Sequence, residues 1–170
     1  MNKKTRFLTT AAMIAAMYVA LSWVSQMLGL CSGAVQCRIS EALCVLPVFT
    51  AAAIPGVTVG CLITNILFGL GPIDVVLGTC ATLIAALVCC AIRKLPYLAS
   101  VPTILSNAFI VPLVLIYYKF SSGYFVDVCF VGAGEIIACG IFGTILVWYL
   151  LKHPKTAARF GGAFGIGEKA

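Results

Sequence analysis

Apolar stretches separated by short polar breaks run the length of the chain. The first covers 7–30, behind Lys3, Lys4 and Arg6. It is longer than the apolar region of a cleaved leader, about 7–15 residues, so it predicts a spanning helix with its N-terminus in the cytoplasm. Later stretches fall near 74–92, 100–118 and 126–151. Between them, 42–70 is apolar except for the break Ile54-Pro55-Gly56, which reads either as a kink in one long helix or as a turn between two short ones.

Basic residues choose between these readings, because Lys and Arg near span ends favour the cytoplasmic side. A turn at Pro55-Gly56 gives six spans, near 7–30, 41–54, 56–70, 74–92, 100–118 and 126–151. Nine Lys and Arg then lie inside, leaving only Arg38 and Lys119 outside. A single kinked helix reverses everything after it and leaves four inside against seven outside. The expectation is an all-α membrane protein, one domain over 1–170, with six helices and both termini cytoplasmic. Spans two and three would be short, about 14 residues or roughly 21 Å each, which suggests a thinned or recessed region.

Composition agrees with this class. Apolar residues make up 62% and charged residues 9%, and mean hydropathy is +1.13, whereas soluble domains run near 45–50% and about 25%. No glycine-rich loop ending in Lys-Ser/Thr is present to cradle a nucleotide, so ATP-driven transport would need an ATPase on another chain. The nine cysteines form no CxxC pair, and the lone His153 sits beside Pro154 at a cytoplasmic end. A metal site is therefore not expected. Cys31 and Cys37 share a loop and could oxidise. No clustered nucleophile and base marks an enzyme.

Only five acids occur in 170 residues, and the six-span reading puts Glu41, Asp74, Asp127 and Glu135 toward the outer face. Ionisable groups at membrane depth usually face a partner, a cavity or a substrate. Glu135 lies deepest, roughly 13 Å along the last span, among Gly132, Gly134, Ala138 and Gly140. It reads as a ligand contact or as a carboxylate bonded to another helix. Glu41 follows the N-cap candidate Ser40, and Arg38 either pairs with it or meets a ligand. Gln36 precedes them in a generous loop. Asp74 opens span four and Asp127 reads as a solvated end residue. Asn65 and Asn107 either bridge helices or line a site. Ala12, Ala16 and Ala20 form a small-residue stripe along one face of the first helix, suited to close helix packing.

Taken together, Gly33-Ala-Val-Gln-Cys-Arg-Ile-Ser-Glu-Ala-Leu43, Leu46-Pro47, Ile54-Pro55-Gly56, Gly60-Cys-Leu-Ile-Thr-Asn65, Asp74, Gly78-Thr-Cys-Ala-Thr-Leu83 and Gly132-Ala-Gly-Glu135 resemble the QueT-type queuosine-precursor transporter family. The Gln-x-Arg-Ile-Ser-Glu segment is the most specific part. The family is similar to S components of energy-coupling factor (ECF) transporters. The resemblance implies a six-helix subunit of the cell membrane that captures a vitamin-like solute from outside a bacterial-type cell. It implies as partners a membrane-embedded T subunit and two cytoplasmic ATPases that consume ATP, with no cofactor in this chain and no nucleic acid.

The implied ligand is a 7-deazaguanine such as preQ1, preQ0 or queuine, whose guanine edge a carboxylate can accept in bidentate fashion. Glu135 or Asp74 is the candidate for that edge, and Glu41 for an acid near the mouth. An Asn or Gln would serve the carbonyl, and Trp23, Tyr18 or Phe109 would stack on the ring. By the same resemblance, the Ala12/Ala16/Ala20 stripe looks like the surface that S components use to dock on a T subunit, and the loop holding Gln36 looks like their ligand cap. An S component for another vitamin and a stand-alone proton-coupled carrier are the alternatives.

Overall fold

The computed structural model describes residues 2–31, 37–69, 71–153 and 156. Among these, every regular element is helical. Helix α1 spans Lys3–Met27 and is followed by a 3₁₀ segment, Ile39–Val48. Then come α2 (Ala53–Phe68), α3 (Pro72–Ala91) and α4 (Val101–Tyr117). The last rod runs Tyr124–Lys152 as α5 (Tyr124–Glu135), a π-helical stretch Ile136–Gly143, and α6 (Thr144–Lys152). Four helical stretches are long and apolar enough to cross a membrane, while Ile39–Val48 and Ala53–Phe68 are shorter apolar helices.

Helices α1 to α5 pack in chain order, each against the next, and the 3₁₀ segment touches α1, α2, α3, the π stretch and α6. It therefore runs through the middle of the bundle. Every residue from Ser40 to Val48 is buried, which explains why this stretch lacks an amphipathic stripe: an element enclosed on all sides is apolar all round. A 3₁₀ helix rises about 2.0 Å per residue, so these 10 residues reach roughly 20 Å where an α-helix would reach about 15 Å. Irregular backbone at membrane depth is tolerated where protein surrounds it. Large apolar side chains such as Leu87, Phe125 and Trp148 point outward and are exposed, as lipid contact requires.

The expected break at Pro55-Gly56 is displaced. The turn lies at 49–52, and Pro55 sits inside the first turn of α2. There its missing N–H has no intrahelical acceptor to lose, and its fixed φ suits the helix. Gly56 and Gly60 instead let α2 approach α1. A Cβ on Gly56 would stand 2.9 Å from the Ala11 carbonyl oxygen, and one on Gly60 would stand 2.7 Å from Tyr18 Cβ. This is the small-xxx-small contact of membrane helices.

Candidate functional site

Where α1, the 3₁₀ segment and α2 to α5 converge, they enclose a cavity of about 200 Å³. Its wall includes Arg38, Glu41, Asn65, Asp74, Asn107 and Glu135. Drug-sized pockets are about 300–1,000 Å³, so this one suits a compact solute. Its polar lining carries three carboxylates and one guanidinium.

Each polar group is held from a different element. Tyr18, fully buried on α1, donates its phenol to Glu41 Oε1 at 2.6 Å, and the Cys44 thiol donates to Glu41 Oε2 at 3.2 Å. Both Glu41 oxygens are thus engaged by the protein. Ser22 and Ser25 reinforce the same seam: Ser22 Oγ donates to Ser40 Oγ at 2.7 Å, and the Ile39 N–H donates to Ser25 Oγ at 2.9 Å. Arg38, which holds its charge at every working pH, donates from Nη1 to Asn65 Oδ1 at 2.8 Å.

Glu135 ends α5 where the helix passes into its π stretch. Asn107 Nδ2 donates to Glu135 Oε1 at 2.8 Å. Among the described residues, Glu135 Oε2 is buried without a hydrogen-bond partner. A buried acceptor left bare costs about 1–3 kcal/mol, more when charged, so this oxygen is the cavity's open valence. Short π stretches often occur at functional sites.

Six of the polar residues singled out from the sequence meet in this cavity, and Gln36 lies outside the described residues. Several expectations change. Asp127 is buried rather than solvated, accepting from the Ser121 hydroxyl and from the Ser122 N–H, which ties the loop before α5 to that helix. None of the three aromatic candidates lines the cavity. Tyr18 is committed to Glu41, Phe109 faces outward, and Trp23 is half exposed beside Phe68. Phe68 does line it, with Trp23 edge-on at 5.3 Å and 80°. Cys61, Thr82 and Gln26 also border the cavity. Spacing is the available cue for both Thr82 and Cys61: Thr82 follows Gly78 by four residues and Cys61 precedes Asn65 by four, each pair on one helix face. Cys31 and Cys37 are separate thiols.

The Ala12/Ala16/Ala20 stripe is exposed. With Trp23, Val59 and Ile63 it lines an apolar groove between α1 and α2, on the face of α1 opposite the buried Ile14 and Tyr18.

A model of the QueT transporter family matches residues 8–152. A curated protein of Lactococcus lactis subsp. cremoris (strain MG1363), named queuosine precursor transporter QueT, is 36% identical over 83 residues. That match covers 49% of this chain and 48% of the relative, so the chain spans about half the length of the curated relative it matches. No solved structure matches the chain.

Proposed function

The chain belongs to the QueT transporter family, and from that premise we propose that it captures a queuosine precursor, a 7-deazaguanine, in the cavity between α1 and α5. The observation that carries this reading is Glu135 Oε2, a buried acceptor with no partner among the described residues, on the wall of a solute-sized cavity. Guanine-type rings present N1–H and an exocyclic amine on one edge, and that edge would complete the carboxylate's bonding. The carbonyl, which sits beside N1–H on the same edge, would take donors from Arg38, Asn65 or Asn107. Phe68 offers the nearest aromatic surface. Asp74 is the second acid on the cavity wall considered for the ligand, while Glu41 already accepts from Tyr18 and Cys44.

In this proposal the chain is one membrane domain with six crossings and both termini in the cytoplasm of a bacterial-type cell. The 3₁₀ segment and α2 form the two short crossings. The distribution of Lys and Arg supports that orientation. The chain acts as the substrate-binding subunit of an ECF-type importer and carries out no covalent chemistry. A T subunit docks on the Ala12/Ala16/Ala20 face, and two cytoplasmic ATPases consume ATP to drive inward release.

The test is small-molecule mass spectrometry on the detergent-solubilised chain, followed by calorimetric titration. A co-purifying or tightly titrating 7-deazaguanine is expected. A different vitamin in the cavity would move the substrate assignment. Uptake by the chain alone in proteoliposomes, without ATPase partners, would replace the importer with a secondary carrier.

A further inference from the structure

Behind Arg38 a chain of contacts runs through Asn65 into the interface of α2 and α3. Asn65 presents Oδ1 to Arg38 Nη1 at 2.8 Å and turns Nδ2 toward Cys61 Sγ at 3.4 Å. Arg38 fixes which end of the amide faces it, since reversal would set a donor against the guanidinium, and the buried Nδ2 on the other side then needs an acceptor of its own. Cys61, buried on α2, is that acceptor. Its sulfur is fixed in turn from α3: Thr82 Oγ1 lies 3.2 Å away, and the Gly78 carbonyl oxygen is 3.8 Å from Sγ. The single Thr82 proton goes either to Cys61 Sγ or to the Gly78 carbonyl, 3.1 Å away. Either choice leaves a sulfur lone pair for Asn65. Gly78 has no side chain to obstruct this, since a Cβ there would stand 2.7 Å from Asn65 Nδ2.

We propose that Cys61 is a positioning residue for solute binding, acting through Asn65 to hold the Arg38 guanidinium against the cavity. It rests on the capture of a 7-deazaguanine proposed above. A thiol suits the place because it is small, accepts weakly without demanding water, and fits an apolar helix interface. Removing the acceptor leaves Nδ2 buried without its partner, and Asn65 then shifts its side chain to satisfy it, drawing Oδ1 away from Arg38. Arg38 then loses its orienting partner while keeping its charge.

The experiment titrates queuine or preQ1 into the full-length, detergent-solubilised chain as wild type, Cys61→Ala, Cys61→Ser, Asn65→Ala and the Cys61→Ala/Asn65→Ala double variant. Loss of one orienting hydrogen bond predicts affinity about three- to tenfold weaker for Cys61→Ala. Serine restores an acceptor and brings affinity back to within about twofold of wild type. In the Asn65→Ala background, Cys61→Ala adds no further loss. Wild-type affinity in Cys61→Ala, or an equal loss in both backgrounds, overturns the proposal. Thermal unfolding of the same variants reads the Cys61–Asn65 coupling without any ligand. A wild type that binds no deazaguanine sinks the substrate assignment, and additive melting shifts then sink the relay separately.

Discussion

Tyr18 and Glu41 are joined by a 2.6 Å hydrogen bond between two fully enclosed side chains, one on α1 and one on the 3₁₀ segment. Tyr18 shares α1 with the exposed Ala12/Ala16/Ala20 face, and Glu41 borders the cavity. One helix therefore carries a polar seam toward the ligand space and an apolar face toward the outside. Replacing Tyr18 by Phe removes the donor and leaves Glu41 Oε1 bare in a closed site. The expected cost is about 1–3 kcal/mol of stability, read as a lower melting temperature in detergent. An unchanged melting temperature would mean that water or another donor takes the place of the phenol.

Glu135→Gln separates charge from shape. Glutamine keeps an oxygen for Asn107 Nδ2 to bond, so the contact between α4 and α5 survives. The charge offered by Oε2 does not survive, and a charge-assisted pair is roughly twice as strong as a neutral one. Affinity for a deazaguanine should fall at least about tenfold, with folding intact, since hydrogen bonds to charged groups contribute about 1.5–3 kcal/mol. Titration with unchanged affinity would remove Glu135 from the ligand's contacts.

The cavity's polar wall was legible because so few polar residues interrupt apolar helices. Glu135, Asn107, Asn65 and Asp74 stand out at depth, and burial obliges each to meet a polar partner or a ligand. Cys61 stayed hidden because a thiol within a span reads as a small hydrophobe. Tyr18 is visible as an aromatic ring that could stack, and only the packing of α1 on the 3₁₀ segment shows where its hydroxyl points. Pro55-Gly56 reads as punctuation in the sequence, but proline is equally at home in a helix's first turn. The spacing of Gly56 and Gly60 was open to reading as a helix-packing motif. Nothing local to Ile39–Val48 distinguishes 3₁₀ from α geometry, because that choice depends on the elements enclosing it.

Gly60→Val tests the α1–α2 contact. Any Cβ at this position meets Tyr18 Cβ at 2.7 Å, and backbone on both sides limits relief. The helices must separate, with a cost of about 1–3 kcal/mol typical of overpacking. Because Tyr18 moves with α1, ligand affinity should fall along with the melting temperature. A stable Gly60→Val protein with normal affinity would show that α1 can slide without disturbing Glu41.

Cys31 reports on the cavity mouth. It lines the cavity from the loop after α1, and burial pushes its thiol up, with Arg38 acting in the lowering direction. The thiolate is the reactive form, so a raised value leaves less of it at neutral pH. Alkylation followed by peptide mass spectrometry should be slow near pH 7 and accelerate as pH rises past the usual thiol range. Bound ligand should slow it further. A rate at pH 7 equal to that of a free thiol, indifferent to ligand, would place Cys31 outside the mouth.

The exposed stripe on α1 allows binding and transport to be separated. Ala16 faces the groove lined also by Val59 and Ile63, away from Tyr18 and the cavity. A bulky Ala16→Trp side chain projects from the chain's own packing, so surface substitution should change stability by no more than about 0.5 kcal/mol. Ligand affinity should match wild type. Docking of another membrane helix, however, depends on close backbone approach along small residues, and a tryptophan fills that space. Co-expressed with T and ATPase subunits, Ala16→Trp should fail to co-purify with them and fail to support uptake, while still retaining ligand. Assembly and uptake at wild-type levels would move the docking surface elsewhere on the bundle. Loss of ligand binding together with assembly would mean that the two faces of α1 are not independent.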